Sequence, residues 1–291
     1  MDEELARRAA QQARELASEK WWRLERRLAD KREAWFSTPA GRPHAGRAAT
    51  PRQAFETLFF ACMGLDPAHL QVVREDPDEI VWRSINPCPT LEACALAGLD
   101  TRRVCRAVCE RPVQRFLSRM DPELRFLRSY DEIRPHAPHC LERIVRVPAA
   151  PMMRLALEEA RRSLAAGEKG YGAVAALGRR VLAAAHDTAG AEADPSRHAE
   201  VNALARAVRE LGDPDLRGAV LYSTCEPCPM CASLAVWSNV TAMVYGASIA
   251  QTAALGRSRI HVDARAIADA APACIEVHGG VLADECLDLY R

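Results

Sequence analysis

The chain has 291 residues, in which 39 lysines and arginines balance 39 aspartates and glutamates, so its formal net charge is zero. This balance argues against a strongly basic nucleic-acid-binding protein, which needs cationic surface to bind phosphates. Apolar residues make up 49% of the chain and charged residues 27%, as is typical of a soluble globular protein, and no apolar run is long enough to predict a membrane span.

Residues 1–147 are predicted to form an N-terminal helical α+β domain. Residues 2–36 contain no Gly or Pro and are rich in Ala, Arg, Glu and Leu, which predicts one long helix. Thr50 and Gln53 begin a second helix with a capping-box pattern, and Gly64 ends it. The other predicted elements are strands over 70–73, 79–84 and 125–130 and helices over 90–98 and 101–119.

Cysteines are unusually dense in this domain. The set comprises Cys88, Cys94, Cys105, Cys109 and Cys140, accompanied by His136 and His139. Their spacings match no zinc template closely, so buried packing and a site of metal ligands or reactive thiols both remain open. The chain has eleven cysteines and no N-terminal secretory signal, which predicts a reducing, cytoplasmic location where disulfides are the least expected use.

A scattered pattern in the same domain also resembles a known family. It consists of residues 81–84 (Val-Trp-Arg-Ser), 86–89 (Asn-Pro-Cys-Pro), Cys94, Cys105, 134–135 (Arg-Pro) and Cys140. The pattern resembles small accessory domains related to the thiazoline-carboxylate hydrolases. We assign no chemistry from it.

Residues 148–291 are predicted to form a second domain after a Pro-containing linker. It carries 14 Lys and Arg against 17 Asp and Glu, so this half of the chain is slightly acidic. Predicted helices cover 152–166, 198–211, 228–238 and 284–290. Predicted strands cover 172–177 and 179–185, which form a hairpin about Gly178, and 219–223, 241–245 and 275–278. Strands that alternate with helices of this length predict a largely parallel sheet with helices on both faces, a three-layer α/β/α fold.

Two short motifs in this domain offer metal ligands. His198 and Glu200 form a His-x-Glu motif, and Cys228 and Cys231 follow Pro227 in a Pro-Cys-x-x-Cys motif. Zinc prefers such nitrogen and sulfur ligands, and three protein ligands leave the fourth tetrahedral position open for water. We therefore predict that His198, Cys228 and Cys231 bind Zn²⁺. Glu200 is too close to His198 in sequence to be a comfortable second ligand, and it is predicted to transfer protons.

The two motifs belong to a longer pattern that carries a family resemblance. The matching residues are 172–174 (Gly-Ala-Val), 194–195 (Asp-Pro), 198–200 (His-Ala-Glu), 224–231 and 279–282 (Gly-Gly-Val-Leu). Residues 153–290 resemble the cytidine-deaminase superfamily, in the branch that holds guanine deaminases, fungal-type cytosine deaminases and tRNA adenosine deaminases. The resemblance implies a five-stranded mixed sheet between helices, zinc at the N-termini of two helices, Glu200 as the catalytic proton carrier, and a homodimer.

Three further residues are predicted to bind substrate. Trp237 matches an aromatic residue that lines the base pocket in guanine deaminases, although an ordinary core Trp fits the pattern equally well. Tyr290 lies in the last helix, which closes the pocket in relatives. Asp187 stands where relatives usually place Asn, and a carboxylate only accepts hydrogen bonds, so at the substrate it favours an edge rich in N–H or a sugar hydroxyl over a carbonyl. The alternative is that Asp187 is a solvated turn residue.

The predicted function is hydrolytic deamination of a small amino-heterocycle, a free nucleobase or nucleoside, with guanine-like purines as first choice. One alternative is a deaminase that acts on adenosine or cytidine in tRNA or another polynucleotide, which the slightly acidic second half disfavours. The other is a deaminase-fold protein whose N-terminal domain makes it a ligand sensor. No membrane partner is expected.

Overall fold

A computed structural model gives the architecture of residues 3–18, 20–257, 260–273 and 275–291. The chain divides into two compact units, Met1–Val147 and Pro148–Arg291, each with its own buried apolar cluster. In the part of the chain that the structure describes, no helix combines the length and the apolar character needed to cross a membrane.

The first unit is built on a four-stranded antiparallel sheet with the strand order β1-β2-β4-β3. Its strands are β1 (Leu70–Asp76), β2 (Glu79–Ser84), β3 (Leu124–Arg128) and β4 (Cys140–Arg146). Its helices are α1 (Glu3–Ala17), α2 (Trp21–Trp35), α3 (Pro51–Glu56), α4 (Pro89–Ala97), α5 (Thr101–Val108) and α6 (Glu110–Met120). Trp82 packs between Phe55 and Phe126 in the core, and its indole Nε1 donates to Glu142 Oε2 at 3.0 Å. The polar atom of this large core residue is therefore satisfied.

The single helix predicted over residues 2–36 is wrong, because the chain forms α1 and α2 with a break between them. Residues 2 and 19 of that prediction lie outside the described residues. The indole Nε1 of Trp21 donates to Leu16 O at 2.8 Å, and Ser18 Oγ donates to Glu15 O at 2.6 Å. The carbonyl groups at the end of α1 therefore accept hydrogen bonds from side chains, so the helix can end there without leaving these carbonyls unpaired.

Two other predictions for this unit need correction. The helix predicted over 101–119 divides at Cys109 into α5 and α6. The sequence does not predict β4, because charged residues interrupt the alternation of apolar and polar residues that would indicate a strand. Glu142 of β4 is only 5% exposed, and it is bound by Arg128 and Trp82 from the neighbouring strands. Such partners are distant in sequence and leave no local signal.

The second unit is a five-stranded mixed sheet with the order β6-β5-β7-β8-β9 and helices on both faces, so the predicted three-layer α/β/α fold is confirmed. Its strands are β5 (Gly172–Leu177), β6 (Arg180–His186), β7 (Ala219–Cys225), β8 (Ala242–Ala247) and β9 (Glu276–His278). Its helices are α7 (Ala149–Ala165), α8 (Ala199–Leu211), α9 (Pro229–Trp237), α10 (Ile249–Ala254), α11 (Ala264–Ala270) and α12 (Ala283–Asp288).

The expectation of a largely parallel sheet is wrong, whereas the mixed sheet that the resemblance implied is confirmed. Strand β5 pairs antiparallel with both β6 and β7, and the pairs β7–β8 and β8–β9 are parallel. Gly178 has a φ of 56° in the turn between β5 and β6, a conformation that favours glycine in a tight hairpin. A hairpin can only make antiparallel neighbours, so this turn makes the β5–β6 edge of the sheet antiparallel.

Candidate active site and metal centre

Two helices of the second unit begin at the residues predicted to bind zinc. His198 is the N-cap residue of α8, and Cys228 is the N-cap residue of α9, with Cys231 in the first turn of α9. Pro229 lies in that same first turn, where a missing N–H costs no helical hydrogen bond. The positive ends of two helix dipoles therefore face the sulfur and nitrogen ligands, which stabilises a thiolate there.

The three side chains form one compact cluster. His198 Nδ1 lies 3.7 Å from Cys228 Sγ and 3.5 Å from Cys231 Sγ, and the two sulfurs are 3.6 Å apart. Tetrahedral zinc with ordinary bond lengths needs about 3.8 Å between two sulfurs and about 3.6 Å between sulfur and nitrogen. The donor set and its spacing therefore fit zinc. Within the described ranges, no other group of three or more His, Cys, Asp or Glu side chains gathers closely enough to hold a metal ion.

The electrostatics of the cluster favour a thiolate. Hydrogen bonds from Cys231 and His198 lower the pKa of the Cys228 thiol to about 4. The pKa of Cys231 is raised, because its thiol is hydrogen-bonded to Cys228 and is buried. The pKa of His198 is also raised, first by its hydrogen bond with Cys228 and further by the charge of Glu200. The cluster therefore favours an ionised sulfur ligand for a metal.

Glu200 lies in the first turn of α8, close to these ligands. It is 6% exposed, and its Oε1 is 3.3 Å from Ser223 Oγ on β7. Burial and the charge of Cys228 raise the pKa of Glu200 above its ordinary value. A carboxylate whose pKa is raised towards neutrality both accepts and returns protons readily, which suits a general acid–base residue.

Asp187 follows β6 directly and is 0% exposed. The alternative of a solvated turn residue is therefore wrong. Its backbone N–H donates to Tyr171 O at 3.1 Å, and its Oδ1 accepts from Ala189 N at 3.2 Å. The other carboxylate oxygen, Oδ2, is buried and has no hydrogen-bond partner among the described residues. The charge of Asp187 is the smallest of the causes that raise the pKa of His198.

Asn202 was not singled out by the sequence, although its side chain contacts the residues on both sides of Asp187. It is 6% exposed, and its Nδ2 approaches His186 O at 2.9 Å, Thr188 Oγ1 at 3.0 Å and Arg197 O at 3.3 Å. His186 and Thr188 flank Asp187 along the chain, and Arg197 immediately precedes the predicted zinc ligand His198. The one available signal is the position of Asn202, one helical turn after His198 on the buried side of α8.

The structure does not bring Trp237 and Tyr290 to the metal ligands. Trp237 is the last residue of α9, at the opposite end from Cys228, and is 83% exposed. Tyr290 is 5% exposed, and its hydroxyl lies 3.1 Å from Thr224 Oγ1. Successive residues of a strand point to opposite faces, and Ser223 faces Glu200, so Thr224 and Tyr290 lie on the other side of the sheet.

Glu226, in the segment between β7 and α9, is a second residue whose role the sequence did not reveal. Its side chain is 5% exposed, with Oε2 accepting from Ile249 N at 2.9 Å and Oε1 from Ala264 N at 3.0 Å. These N–H groups begin α10 and α11, so one buried carboxylate holds two helix N-termini beside the metal ligands. Both partners are distant in sequence.

Glu226→Gln is expected to lower the free energy of unfolding of the second unit by about 1–3 kcal/mol, because an amide NH₂ would face a backbone N–H in a buried site. Chemical denaturation of the zinc-loaded chain, followed by hydrogen exchange at α10 and α11, measures the change. Glu285→Gln, at an exposed position of α12, is the matched control. Equal stability of the two variants would contradict this role for Glu226.

Comparisons with known proteins match the second unit and its site. The zinc-binding region of cytidine and deoxycytidylate deaminases matches residues 148–247. A tRNA-specific adenosine deaminase of Haemophilus influenzae is 37% identical over 137 residues, which make up 46% of this chain and 76% of that protein. A guanine deaminase of Bacillus subtilis is 35% identical over 86 residues, which make up 30% of this chain and 55% of that protein.

A guanine deaminase from Nitrosomonas europaea aligns with a TM-score of 0.44 and 28% identity, covering 50% of this chain and 85% of that one. The matched lengths vary widely among the curated relatives, and for one of them the match spans only 19% of its length.

Proposed function

The chain belongs to the cytidine-deaminase superfamily of zinc-dependent deaminases, and from this premise we propose that it hydrolytically deaminates a small amino-heterocycle. The proposed substrates are free nucleobases or nucleosides, with guanine-like purines as first candidates. The observation that carries the proposal is the compact His198, Cys228 and Cys231 cluster, with the buried carboxylate of Glu200 beside it.

The chemistry divides between the metal and the chain. His198, Cys228 and Cys231 would hold zinc, which would supply a water acidic enough to act as a nucleophile near neutral pH. Glu200 would accept a proton from the water nucleophile and would deliver it to the ring nitrogen next to the carbon that bears the amino group. Glu200 then transfers the second water proton to the departing amino group, so ammonia leaves and a ring carbonyl remains.

A small substrate is supported by the charge of the second half, in which 17 acidic residues exceed 14 basic ones. An enzyme of polynucleotides normally offers cationic surface for phosphates. The second candidate is deamination within tRNA, supported by the 37% identity to the tRNA-specific adenosine deaminase of H. influenzae. That likeness is the specific reason to include tRNA in the test.

The test measures ammonia release by the zinc-loaded full chain from guanine, cytosine, adenosine, cytidine, aminotriazines and unmodified tRNA. The proposal expects turnover of a free base or nucleoside at a rate that changes little between about 50 and 200 mM salt, because few phosphate contacts are involved. Turnover of tRNA alone, with a rate that falls steeply over the same salt range, would instead establish the second candidate.

We further propose that the unpartnered Asp187 Oδ2 accepts an N–H or O–H of the substrate. Asp187→Asn is then expected to shift the preference within matched substrate pairs, 2,6-diaminopurine against guanine and 2,4-diaminopyrimidine against cytosine. In each pair, kcat/KM for the diamino compound divided by kcat/KM for its carbonyl-bearing counterpart should fall by at least about 10-fold. The reason is that leaving one buried hydrogen-bonding partner unsatisfied costs about 1–3 kcal/mol. Steady-state kinetics with identification of each product measures the ratio.

The control for this experiment is Asp269→Asn, the same chemical change at an exposed position of α11. Zinc content is measured for both variants. An unchanged substrate ratio in an active, zinc-loaded Asp187→Asn enzyme would remove Asp187 from the substrate site, whereas loss of zinc would point to a role in holding His198.

Assembly as a homodimer and a cytoplasmic location also belong to the proposal. The exposed apolar side chains of Trp237 (83%) and Met230 (39%) on α9 support burial of this helix against a second copy. The described cysteines are free thiols, which is the state favoured by a reducing compartment.

A further inference from the structure

The chain between β6 and α8 forms a loop, residues 188–197, directly after Asp187 and directly before the predicted zinc ligand that begins α8. A hydrogen bond from Thr188 N to Arg197 O, at 2.9 Å, closes the base of this loop. Residues 190–193 at its centre are exposed and, apart from one glutamate, consist of Gly and Ala, so they bring little side-chain packing. Hydrogen bonds to the backbone are therefore the means by which the centre of the loop can be held.

Glu168, in the turn between α7 and β5, makes two such hydrogen bonds. Its carboxylate accepts from two successive backbone N–H groups, with Gly190 N 3.1 Å from Oε2 and Ala191 N 2.5 Å from Oε1. A charged acceptor that uses both of its oxygens in this way gives stronger and more directional bonds than a neutral one. Glu168 therefore attaches the exposed centre of the loop to the segment that precedes β5.

The segment 168–171 is itself anchored, and it binds the chain at a second point. Its backbone N–H groups donate to Ser163 O at 2.9 Å and to Ser163 Oγ at 3.1 Å, and Ser163 is 0% exposed near the end of α7. At the other end of the segment, Tyr171 O accepts from Asp187 N at 3.1 Å. One short segment therefore holds the chain at Asp187 and again three and four residues later.

Gly190 permits the close approach of the Glu168 carboxylate. A Cβ at this position would lie 2.9 Å from both carboxylate oxygens, which is closer than Cβ atoms come to other atoms in proteins. The φ of Gly190 lies outside the left-handed region, so an alanine here meets no backbone strain. Gly190→Ala would therefore displace the carboxylate and leave the backbone conformation accessible.

Ala189 connects this attachment to the side chain of Asp187. Ala189 N, next to Gly190, donates to Asp187 Oδ1 at 3.2 Å. The other oxygen, Oδ2, is buried and has no hydrogen-bond partner among the described residues. The position of Ala189 N thus decides which oxygen is left to accept from a substrate. If the loop moved, this bond would be lost and the carboxylate could turn about χ2, a torsion with broad preferences.

We propose that Glu168 is a positioning residue that orients the substrate-accepting oxygen of Asp187 by holding loop 188–197, and that Gly190 makes this contact possible. The inference rests on the proposed function, because it concerns the same site. A side chain that must be ordered when substrate binds weakens binding by about 2–10-fold compared with one that is already ordered. Glu168 therefore supports the preference for a substrate edge rich in N–H without touching the substrate.

Steady-state kinetics of Glu168→Gln and Gly190→Ala test the proposal. In both variants, kcat/KM for 2,6-diaminopurine divided by kcat/KM for guanine should fall by about 3–10-fold, with one zinc ion per chain retained. Glutamine can accept from one of the two loop N–H groups, but its NH₂ cannot accept from the other. Glu158→Gln, at an exposed position of α7, is the matched control and should keep the wild-type ratio.

A double variant shows whether Glu168 acts through Asp187. In the Asp187→Asn background, adding Glu168→Gln should leave the substrate ratio unchanged, because the carboxylate that Glu168 orients is no longer present. A further fall of the same size in that background would overturn the proposal. Equal losses of kcat/KM on both purines in Glu168→Gln, with the ratio unchanged, would also overturn it.

Amide hydrogen exchange tests the attachment of the loop without reference to turnover. Exchange at Gly190 and Ala191 should be at least about 5-fold faster in Glu168→Gln than in Glu158→Gln, and equal rates would contradict the proposal. The two levels of the account fail differently. A zinc-loaded wild type that deaminates none of the substrates would overturn the proposed function, whereas an active enzyme whose substrate ratio responds to Asp187→Asn but not to Glu168→Gln would overturn this inference alone.

Discussion

Glu200→Gln is expected to lower kcat by about 10²–10⁴-fold while one zinc ion per chain remains bound, because the change removes a proton carrier and leaves the three metal ligands intact. Glutamine has nearly the same shape and can still contact Ser223, which lies 3.3 Å from Glu200 in the wild type. Ammonia release with the best substrate, together with metal analysis of the same sample, measures both quantities.

The pH dependence of activity provides a second test of the role of Glu200. Burial raises the pKa of this carboxyl, so the ionised form needed to accept the first proton is lost at a higher pH than for an exposed glutamate. Activity should therefore decline on the acid side as pH falls through this raised value. Glu210→Gln, at an exposed position of the same helix, is the control and should retain full activity. Comparable activity of Glu200→Gln and Glu210→Gln, with zinc bound, would show that another group moves the protons.

The second large effect is expected for Cys231→Ser, which should lose zinc and all measurable turnover. Cys231 is 0% exposed, and a neutral serine hydroxyl is a poor substitute for a thiolate ligand in a buried site. Loss of a hydrogen-bond partner to a ligand costs about 10–100-fold in metal affinity, so loss of the ligand itself should exceed about 100-fold. Competition with a coloured chelator measures the affinity.

Cys225→Ser is the matched control for Cys231→Ser. Cys225 is also buried, at 4% exposure, and its sulfur lies 3.8 Å from Thr252 Oγ1, away from the ligand cluster. This variant should bind zinc as the wild type does. If Cys231→Ser kept its zinc, or if both variants lost it equally, the assignment of Cys231 as a ligand would be contradicted.

The metal ligands could be predicted from the sequence because their information is local. His198 and Glu200 lie two residues apart, and Cys228 and Cys231 share one helical turn, so spacing alone restricts what they can do together. Strand and helix alternation likewise predicted the layers of the second unit. In each case the sequence pattern and the structural feature that it predicts involve residues that are close together along the chain.

The features that the sequence did not predict depend on distant partners. Glu226 binds N–H groups of Ile249 and Ala264, and Asn202 joins the end of β6 to the start of α8. Such contacts exist only after the strands have paired. Tyr290 was expected at the site because the last helix closes the pocket in relatives, but strand alternation at Ser223 and Thr224 places it on the opposite face.

The hairpin predicted about Gly178 is confirmed, whereas the expectation of a largely parallel sheet is wrong. Alternating strands and helices favour parallel neighbours, yet the turn at Gly178 joins β5 and β6 directly and makes that edge of the sheet antiparallel. The break between α1 and α2 was missed because helix propensity is continuous over that region, whereas the end of α1 is stabilised by the side chains of Ser18 and Trp21. Local propensity was overridden by specific hydrogen bonds in that segment.

Turnover of the best substrate in oxygen-18-labelled water tests zinc-dependent hydrolytic deamination most directly. The zinc-loaded chain should release one ammonia per product molecule, and each product should carry one labelled oxygen at the carbon that lost its amino group. The same chain stripped of metal should be inactive and should recover on addition of zinc. Failure to release ammonia from every substrate tested, or release without incorporation of solvent oxygen, would contradict the proposed function.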